Sequence, residues 1–325
     1  MTHPANSPVL KAPAGALSFA MVAGETSGDL LAGLLIQGLH LRWPQAQGVG
    51  IGGPRMQAQG FDAWWPHEKL AVRGYVEVLR HYRGIVAIRD QLRQRLLAQP
   101  PDVFIGVDAP DFNLDLEARL KAAGIPTVHF VCPSIWAWRP ERIEKIRRSV
   151  DHMLCIFPFE PALLAKAGVE ATYVGHPLAQ TIPMHPDRTA ARQALGLDAQ
   201  RPVVAVLPGS RLSEIEHLTP RFVQAAQLMR QQNPALQFVL PAIPSLLPRI
   251  QALVDAQGGV PGLHLVQGQS HHALAACDVT LIASGTATLE AALFKRPMVI
   301  AYKISGLSWQ IMKRMAYLPW VGLPN

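Results

Sequence analysis

Cysteine is scarce. The chain has only Cys132, Cys155 and Cys277, far apart and without a CxxC pair, so neither a disulfide framework nor a thiolate zinc site is expected and a reducing compartment is. Long apolar runs are also missing. The longest uncharged stretches, such as residues 124–138, fall short of the roughly 20 residues a membrane-crossing helix needs and are broken by proline and histidine. Residues 1–15 show no basic stretch followed by an apolar core, so no signal peptide is expected. The P-loop pattern, HExxH and Asp-x-Asp are absent, and His271-His272 has no companions at ligand spacing. No required metal or cofactor is expected. Gly48-Val49-Gly50-Ile51-Gly52-Gly53 formally fits GxGxxG. It reads as having no strand before it and is followed by Pro54, which is the wrong context for a dinucleotide fingerprint.

Apolar residues, by contrast, make up 49% of the 325 positions and charged ones only 16%, the balance of a chain with a substantial core. The length exceeds the usual single-core size. Short runs rich in Val, Ile, Ala and Phe alternate with longer helical stretches. Strands are expected at 17–23, 102–107, 127–131, 152–157 and 171–174, and again at 202–207, 237–240, 263–266, 278–283 and 297–302. The rhythm pauses over the Pro-containing polar segment 181–201, which places a domain boundary near Asp187. The expected fold is α/β, with two Rossmann-like, doubly wound domains, 1–186 and 187–325, whose strand ends face a shared cleft. No internal repeat or low-complexity tract interrupts this pattern.

The 30 Lys and Arg against 23 Asp and Glu give a net charge of +7, which suits an anionic membrane surface, a phosphorylated substrate or a nucleic acid. No helix-turn-helix, zinc or RNA-binding motif accompanies that charge, so no nucleic-acid partner is expected.

Four phrases carry candidate chemistry. Leu207-Pro208-Gly209-Ser210-Arg211 follows a strand and precedes a helix expected to begin near Glu214, so its amides and the fork of Arg211 suit phosphate oxygens. An ordinary strand-to-helix turn uses the same Pro and Gly. Ala283-Ser284-Gly285-Thr286-Ala287-Thr288-Leu289-Glu290 puts small residues after a strand, with Ser284 or Thr286 as the helix cap and a pyrophosphate on the helix end. Glu290 then serves as an acceptor for ribose hydroxyls, or else faces solvent. Gly106-Val107-Asp108-Ala109-Pro110-Asp111-Phe112-Asn113 offers two carboxylates at a strand end. Asp108 is the better candidate base, because capping of the next helix accounts for Asp111 or Asn113 equally well. The turn Gly24-Glu25-Thr26-Ser27-Gly28-Asp29 adds Glu25, Ser27 and Asp29 to the same face, with Gly28 allowing close approach of a sugar and Ser27 available as a cap.

Between 61 and 83, Trp64, Trp65, Tyr75 and Tyr82 mix with Lys69, Arg73, Arg80 and Arg83. That mixture suits a membrane interface, and equally an interior-packed helix with a basic outer face. Residues 309–320, with Lys313 and Arg314, repeat it.

These phrases, together with Gly53-Pro54-Arg55-Met56 and Pro133-Ser134-Ile135-Trp136-Ala137-Trp138, resemble the lipid A disaccharide synthase family in the family's order and essentially end to end. The resemblance implies a metal-independent, inverting GT-B glycosyltransferase. Its substrates are UDP-diacylglucosamine and diacylglucosamine 1-phosphate, and its products are the lipid A disaccharide and UDP. Carried onto this sequence, Asp108 is the base with Glu25 beside it. Gly209, Ser210, Arg211 and Ser284, Gly285, Thr286, Ala287 hold the pyrophosphate, and Glu290 and Asn325 hold the rest of the nucleotide. A cytoplasmic protein peripheral to the inner membrane is implied, with no cofactor. Family members continue past Leu323-Pro324-Asn325, so a C-terminal part is expected to be missing here, together with a region through which full-length members form homodimers. Another UDP-sugar enzyme of this fold, such as a nonhydrolysing epimerase, and a nucleotide-sugar or lipid-binding protein without turnover are the alternative readings.

Overall fold

A computed structural model describes residues 16–70, 75–137 and 139–303, with the side chains of 26 and 75–82 outside the description. The chain divides into two compact units, Met1–His176 and Pro177–Asn325. Asp187 lies within the second, where its Oδ1 accepts the Ala190 amide at 2.9 Å as a helix N-cap.

The first unit runs β1 (Ser18–Ala23), α1 (Thr26–Arg42), β2 (Gln47–Gly52), α2 (Pro54–Gln57), β3 (Asp62–Pro66), α3 (Tyr75–Ala98), β4 (Val103–Val107), α4 (Pro110–Ala122), β5 (Thr127–Phe130), α5 (Arg142–Ser149), β6 (His152–Cys155), α6 (Glu160–Ala165) and β7 (Ala171–Tyr173). Its seven strands pair in parallel in the order β3-β2-β1-β4-β5-β6-β7. Side chains alternate across a strand, so β1 divides its apolar residues between the two faces. Phe19, Met21 and Ala23 meet Ala32 and Ile36 of α1. Ala20 and Val22 meet Leu92 and Leu96 of α3 and Leu116 and Leu120 of α4. A strand covered on both faces has to read as a continuous apolar run, as this one does.

The second unit runs α7 (Leu178–Thr181), α8 (Arg188–Ala194), β8 (Val203–Leu207), α9 (Leu212–Gln232), β9 (Gln237–Ala242), α10 (Leu247–Ala256), β10 (Leu263–Gln267), α11 (Ser270–Ala276), β11 (Val279–Ala283), α12 (Thr286–Leu293) and β12 (Met298–Ala301). Its five parallel strands take the order β10-β9-β8-β11-β12. Val203, Ala205 and Leu207 pack on Ala191, Ala273 and Ala291, while Val204 and Val206 pack on Ile215, Phe222 and Ile250. All ten expected strands are present.

Two strands of the first unit, β2 and β3, were not expected. β2 is the glycine-rich run read as having no strand context, and the physical reason is close packing. A Cβ on Gly48 would lie 2.3 Å from the Phe19 ring, and one on Gly50, whose φ is +139°, would lie 2.2 Å from the Met21 carbonyl oxygen. Glycine is poor strand material by propensity, and here the neighbouring strand permits nothing larger. β3 holds Trp64 and Trp65, whose partly buried rings join the α3 side of the core. Arg95 lies 4.6 Å above one ring and 5.5 Å above the other. These two tryptophans pack against the interior, but from a strand, where an interior-packed helix was the reading. Lys69 and Arg83 are exposed. Arg73 lies outside the described residues, as do the side chains of Tyr75, Arg80 and Tyr82.

Candidate active site

In each sheet the chain works outward on one side, then returns to build the other. The reversal falls between β1 and β4 in the first unit and between β8 and β11 in the second. Ligands of open α/β sheets bind outside the carboxyl ends of the strands at this switch point. The four candidate phrases are the four loops that leave β1, β4, β8 and β11 there.

In the first unit Ala23 pairs with Val107, so Gly24 and Glu25 leave the sheet beside Asp108. The approach is close: a Cβ on Gly24 would sit 2.9 Å from that of Ala109. Asp108 and Ala109 both have left-handed backbones, φ 52° and 44°, and Val131 at the end of β5 has φ 79°. Such positions cost of order 1–3 kcal/mol each and collect at functional sites. The Asp108 amide donates to Phe130 O at 2.9 Å, and buried Asn113 donates Nδ2 to Asp108 O at 2.8 Å. Loss of water raises the pKa of the half-buried Asp108 carboxyl, and the charge of His129 opposes that rise. Ala109, not Asp111 or Asn113, is the N-cap of α4. Asp111 is exposed and pairs with Arg142 at 2.5 Å.

Glu25 is the N-cap of α1, and Ser27 lies exposed within its first turn rather than capping it. Asp29 does not join them at the face. It is buried and accepts the amides of Gly53 at 2.8 Å, Arg55 at 3.0 Å and Met56 at 3.2 Å. The phrase at 24–29 and the phrase at 53–56 are therefore two halves of one hydrogen-bonded junction. Trp136 touches the rings of Phe157 and Phe159 edge-on at 6.3 and 5.4 Å, and its Nε1 donates to Glu160 at 3.4 Å. Trp138 lies outside the described residues.

In the second unit Leu207 pairs with Ile282, bringing the loops 208–211 and 284–286 side by side. Helix α9 starts at Leu212, with Arg211 as N-cap. Glu214 folds back so that its Oε2 accepts the amides of Ser210 at 3.0 Å and Arg211 at 3.3 Å, and its Oε1 accepts Arg211 Nη1 at 2.8 Å. The amides expected to face an anion thus hold the protein's own carboxylate, the Glu half of a capping box. Gly209, φ +120°, makes room for it, since a Cβ there would lie 2.4 Å from Glu214 Oε2. The Arg211 side chain remains half exposed.

Gly285, φ 152°, is the N-cap of α12 without a side-chain cap, so neither Ser284 nor Thr286 plays that part. The space beside Gly285 is open. Glu290 does not face solvent: His271 Nε2 lies 3.4 Å from its Oε2, and burial raises its pKa against the charge of His271. His271 is therefore a member of this site that motif reading missed, having been weighed only as a metal ligand. Tyr302 is another, its pKa raised by burial and by Glu214; nothing in its local sequence distinguishes it. Asn325 lies outside the described residues. Among the described residues no group of three or more His, Cys, Asp or Glu is placed to hold a metal ion.

The family model described as Lipid-A-disaccharide synthetase matches residues 19–325. A lipid-A-disaccharide synthase of Albidiferax ferrireducens is 68% identical over 310 residues, covering 95% of this chain and 80% of the relative. One from Burkholderia mallei is 59% identical over 311 residues with the same coverage. Among solved structures, a UDP-GlcNAc 2-epimerase from Neisseria meningitidis bound to UDP-GlcNAc superposes with TM-score 0.62 at 12% identity, over 91% of this chain and 85% of its own. An S. aureus MnaA–UDP co-structure gives TM-score 0.62 at 11% identity, over 95% and 85%. At those identities the structural likeness is one of fold.

Proposed function

The chain belongs to the lipid-A-disaccharide synthetase family, and from that premise we propose how its two switch-point sites divide the reaction. The enzyme is an inverting glycosyltransferase that moves 2,3-diacylglucosamine from its UDP conjugate to the 6'-hydroxyl of 2,3-diacylglucosamine 1-phosphate, giving the β-1,6-linked disaccharide and UDP. Asp108 takes the hydroxyl proton as the oxygen attacks the anomeric carbon. The bond to UDP breaks, and its electron pair leaves on the pyrophosphate. A base so placed contributes about 10² to 10⁴ in rate. Glu25, leaving the adjacent strand, is the second carboxylate at this end and orients the acceptor.

The nucleotide belongs to the second unit. The open N-terminus of α12, residues 284–287, presents amides and a positive dipole end to the pyrophosphate. Because Glu214 already holds the amides of Ser210 and Arg211, the contribution from that loop is the remaining guanidinium donors of Arg211, with Gly209 and Ser210 shaping the turn. Glu290, oriented by His271, accepts from the ribose. The observation that supports this division most directly is that all four candidate loops leave their sheets at the two switch points.

The substrates are acylated and the chain carries a net charge of +7, which supports work at the anionic cytoplasmic face of the inner membrane. No helix among the described residues is long and apolar enough to cross a membrane.

The test is disaccharide formation from the two purified substrates in mixed micelles with chelator present, read by mass spectrometry. Product plus UDP is the expected result. Asp108→Ala should lower kcat at least about 10²-fold with UDP binding retained, and Arg211→Ala should chiefly raise KM for the UDP-sugar. Near-normal turnover by folded Asp108→Ala would remove the base assignment.

A further inference from the structure

Behind Asp108 lies a buried pair of titratable side chains that the reaction as described does not use. His129 of β5 stands opposite Gly106 of β4 in the sheet register. From α4, Glu117 reaches over Gly106 so closely that a Cβ there would lie 2.1 Å from its Oε1. That oxygen meets His129 Nδ1 at 2.8 Å, with both side chains fully buried. His129 Nε2 and Glu117 Oε2 have no hydrogen-bond partner. Stability does not explain the arrangement, because an apolar pair of similar volume is commonly as stable as a buried ion pair.

Asp108 is tied to the same two elements. Its amide bonds Phe130 O, next to His129, and its carbonyl accepts from Asn113, one helical turn before Glu117. We propose that Glu117 and His129 form a positioning pair for Asp108, in which Glu117 holds an imidazolium behind the Asp108 carboxylate and keeps it in its proton-accepting form. The proposal rests on Asp108 being the base.

The electrostatics follow the geometry. Burial pulls the His129 pKa down, but the charge and hydrogen bond of Glu117 and the charge of Asp108 together outweigh it; burial likewise raises the Glu117 pKa, against the charge and hydrogen bond of His129. Desolvation raises the pKa of Asp108, and His129 holds that rise back. Of the other charged groups nearby, Asp111 of α4 is exposed and paired with Arg142, and Glu25 stands in the turn after β1.

The deciding experiment is the pH dependence of kcat/KM for the full chain and for Glu117→Gln, His129→Gln, the double Gln variant and Asp108→Asn. The double variant preserves an amide-to-amide hydrogen bond without charge, so it decides the matter where a single variant folds poorly. Loss of the imidazolium should move the acid limb upward by about one pH unit, about a tenfold fall in kcat/KM below the limb. KM for both substrates should hold, and activity should return at higher pH. A double variant that is folded, with its acid limb where the parent has it, overturns the proposal, as does a loss uniform across pH. If Asp108→Asn keeps the parent's rate and limb, it is the base assignment that fails, whatever the other variants do.

Discussion

Asp29 sits in the first turn of α1, in a phrase whose polar letters all read as facing a ligand, yet its carboxylate turns inward. It holds three amides of the 53–56 segment, of which those of Gly53 and Met56 are buried. A hydrogen bond to a charged group contributes about 1.5–3 kcal/mol, and an orphaned buried amide costs about 1–3 kcal/mol. Asp29→Ala is therefore expected to lower unfolding free energy by about 3 kcal/mol in urea titration, with activity per folded molecule much less affected. A loss below about 1 kcal/mol would show that the junction is not structural. Asp108 is the opposite case. Its type and its place at a strand end were legible as those of a candidate base, but not its left-handed backbone, nor the buried His129 behind it, which comes from a neighbouring strand.

Among elements, β2 is held in place by what its glycines leave out. Gly50→Ala combines a left-handed φ with a Cβ 2.2 Å from the Met21 carbonyl, and strain and overpacking each cost about 1–3 kcal/mol. The expected loss is about 3 kcal/mol or more. Gly60, φ +81° with open space around it, is the control, and Gly60→Ala should cost only about 1–2 kcal/mol. Thermal unfolding of the two variants checks this, and equal losses would mean that the approach of β1 to β2 is not what requires glycine. In α9 the backfolded carboxylate of Glu214 was concealed because Arg211, not one of the usual small polar caps, occupies the N-cap position. The Glu at N3 was there to be seen, and it explains why the helix starts at Leu212 rather than near Glu214.

For the whole molecule, acid stability reflects opposed carboxylates. Partial burial works against ionisation of Asp151, but the Thr127 amide and hydroxyl and Lys121 outweigh it and hold its pKa below the ordinary value. Its contribution is thus complete above the unfolded pKa, near 3.9, and disappears as pH falls through the depressed native value. Asp151→Asn should cost about 1 kcal/mol at pH 7, in keeping with an exposed ion pair and two hydrogen bonds, and almost nothing near pH 2. Urea titrations at both pH values check this, and a difference independent of pH would assign the effect to packing. At the same scale, the net charge of +7 predicts vesicle binding that weakens as salt rises through 0.1 M, where the screening length is about 10 Å. Equal, salt-insensitive binding to neutral and anionic vesicles would leave only the apolar contribution.

The sequence by itself determined the fold class, the family and the four candidate loops that leave the sheets at their switch points. Buried parallel strands must read as apolar runs, and phosphate- and proton-handling loops draw on few residue types. Tertiary structure decided which polar residues in those loops turn inward to hold the fold and which stay at the strand ends. Asp29 and Asp108 are the same residue type in similar loops, and they differ in what a distant segment brings to them: three amides from 53–56 in one case, the imidazole of His129 in the other. It also decided β2 and β3, because the need for glycine at 48 and 50 comes from atoms of Phe19 and Met21 on the adjacent strand, a contact that no local pattern encodes.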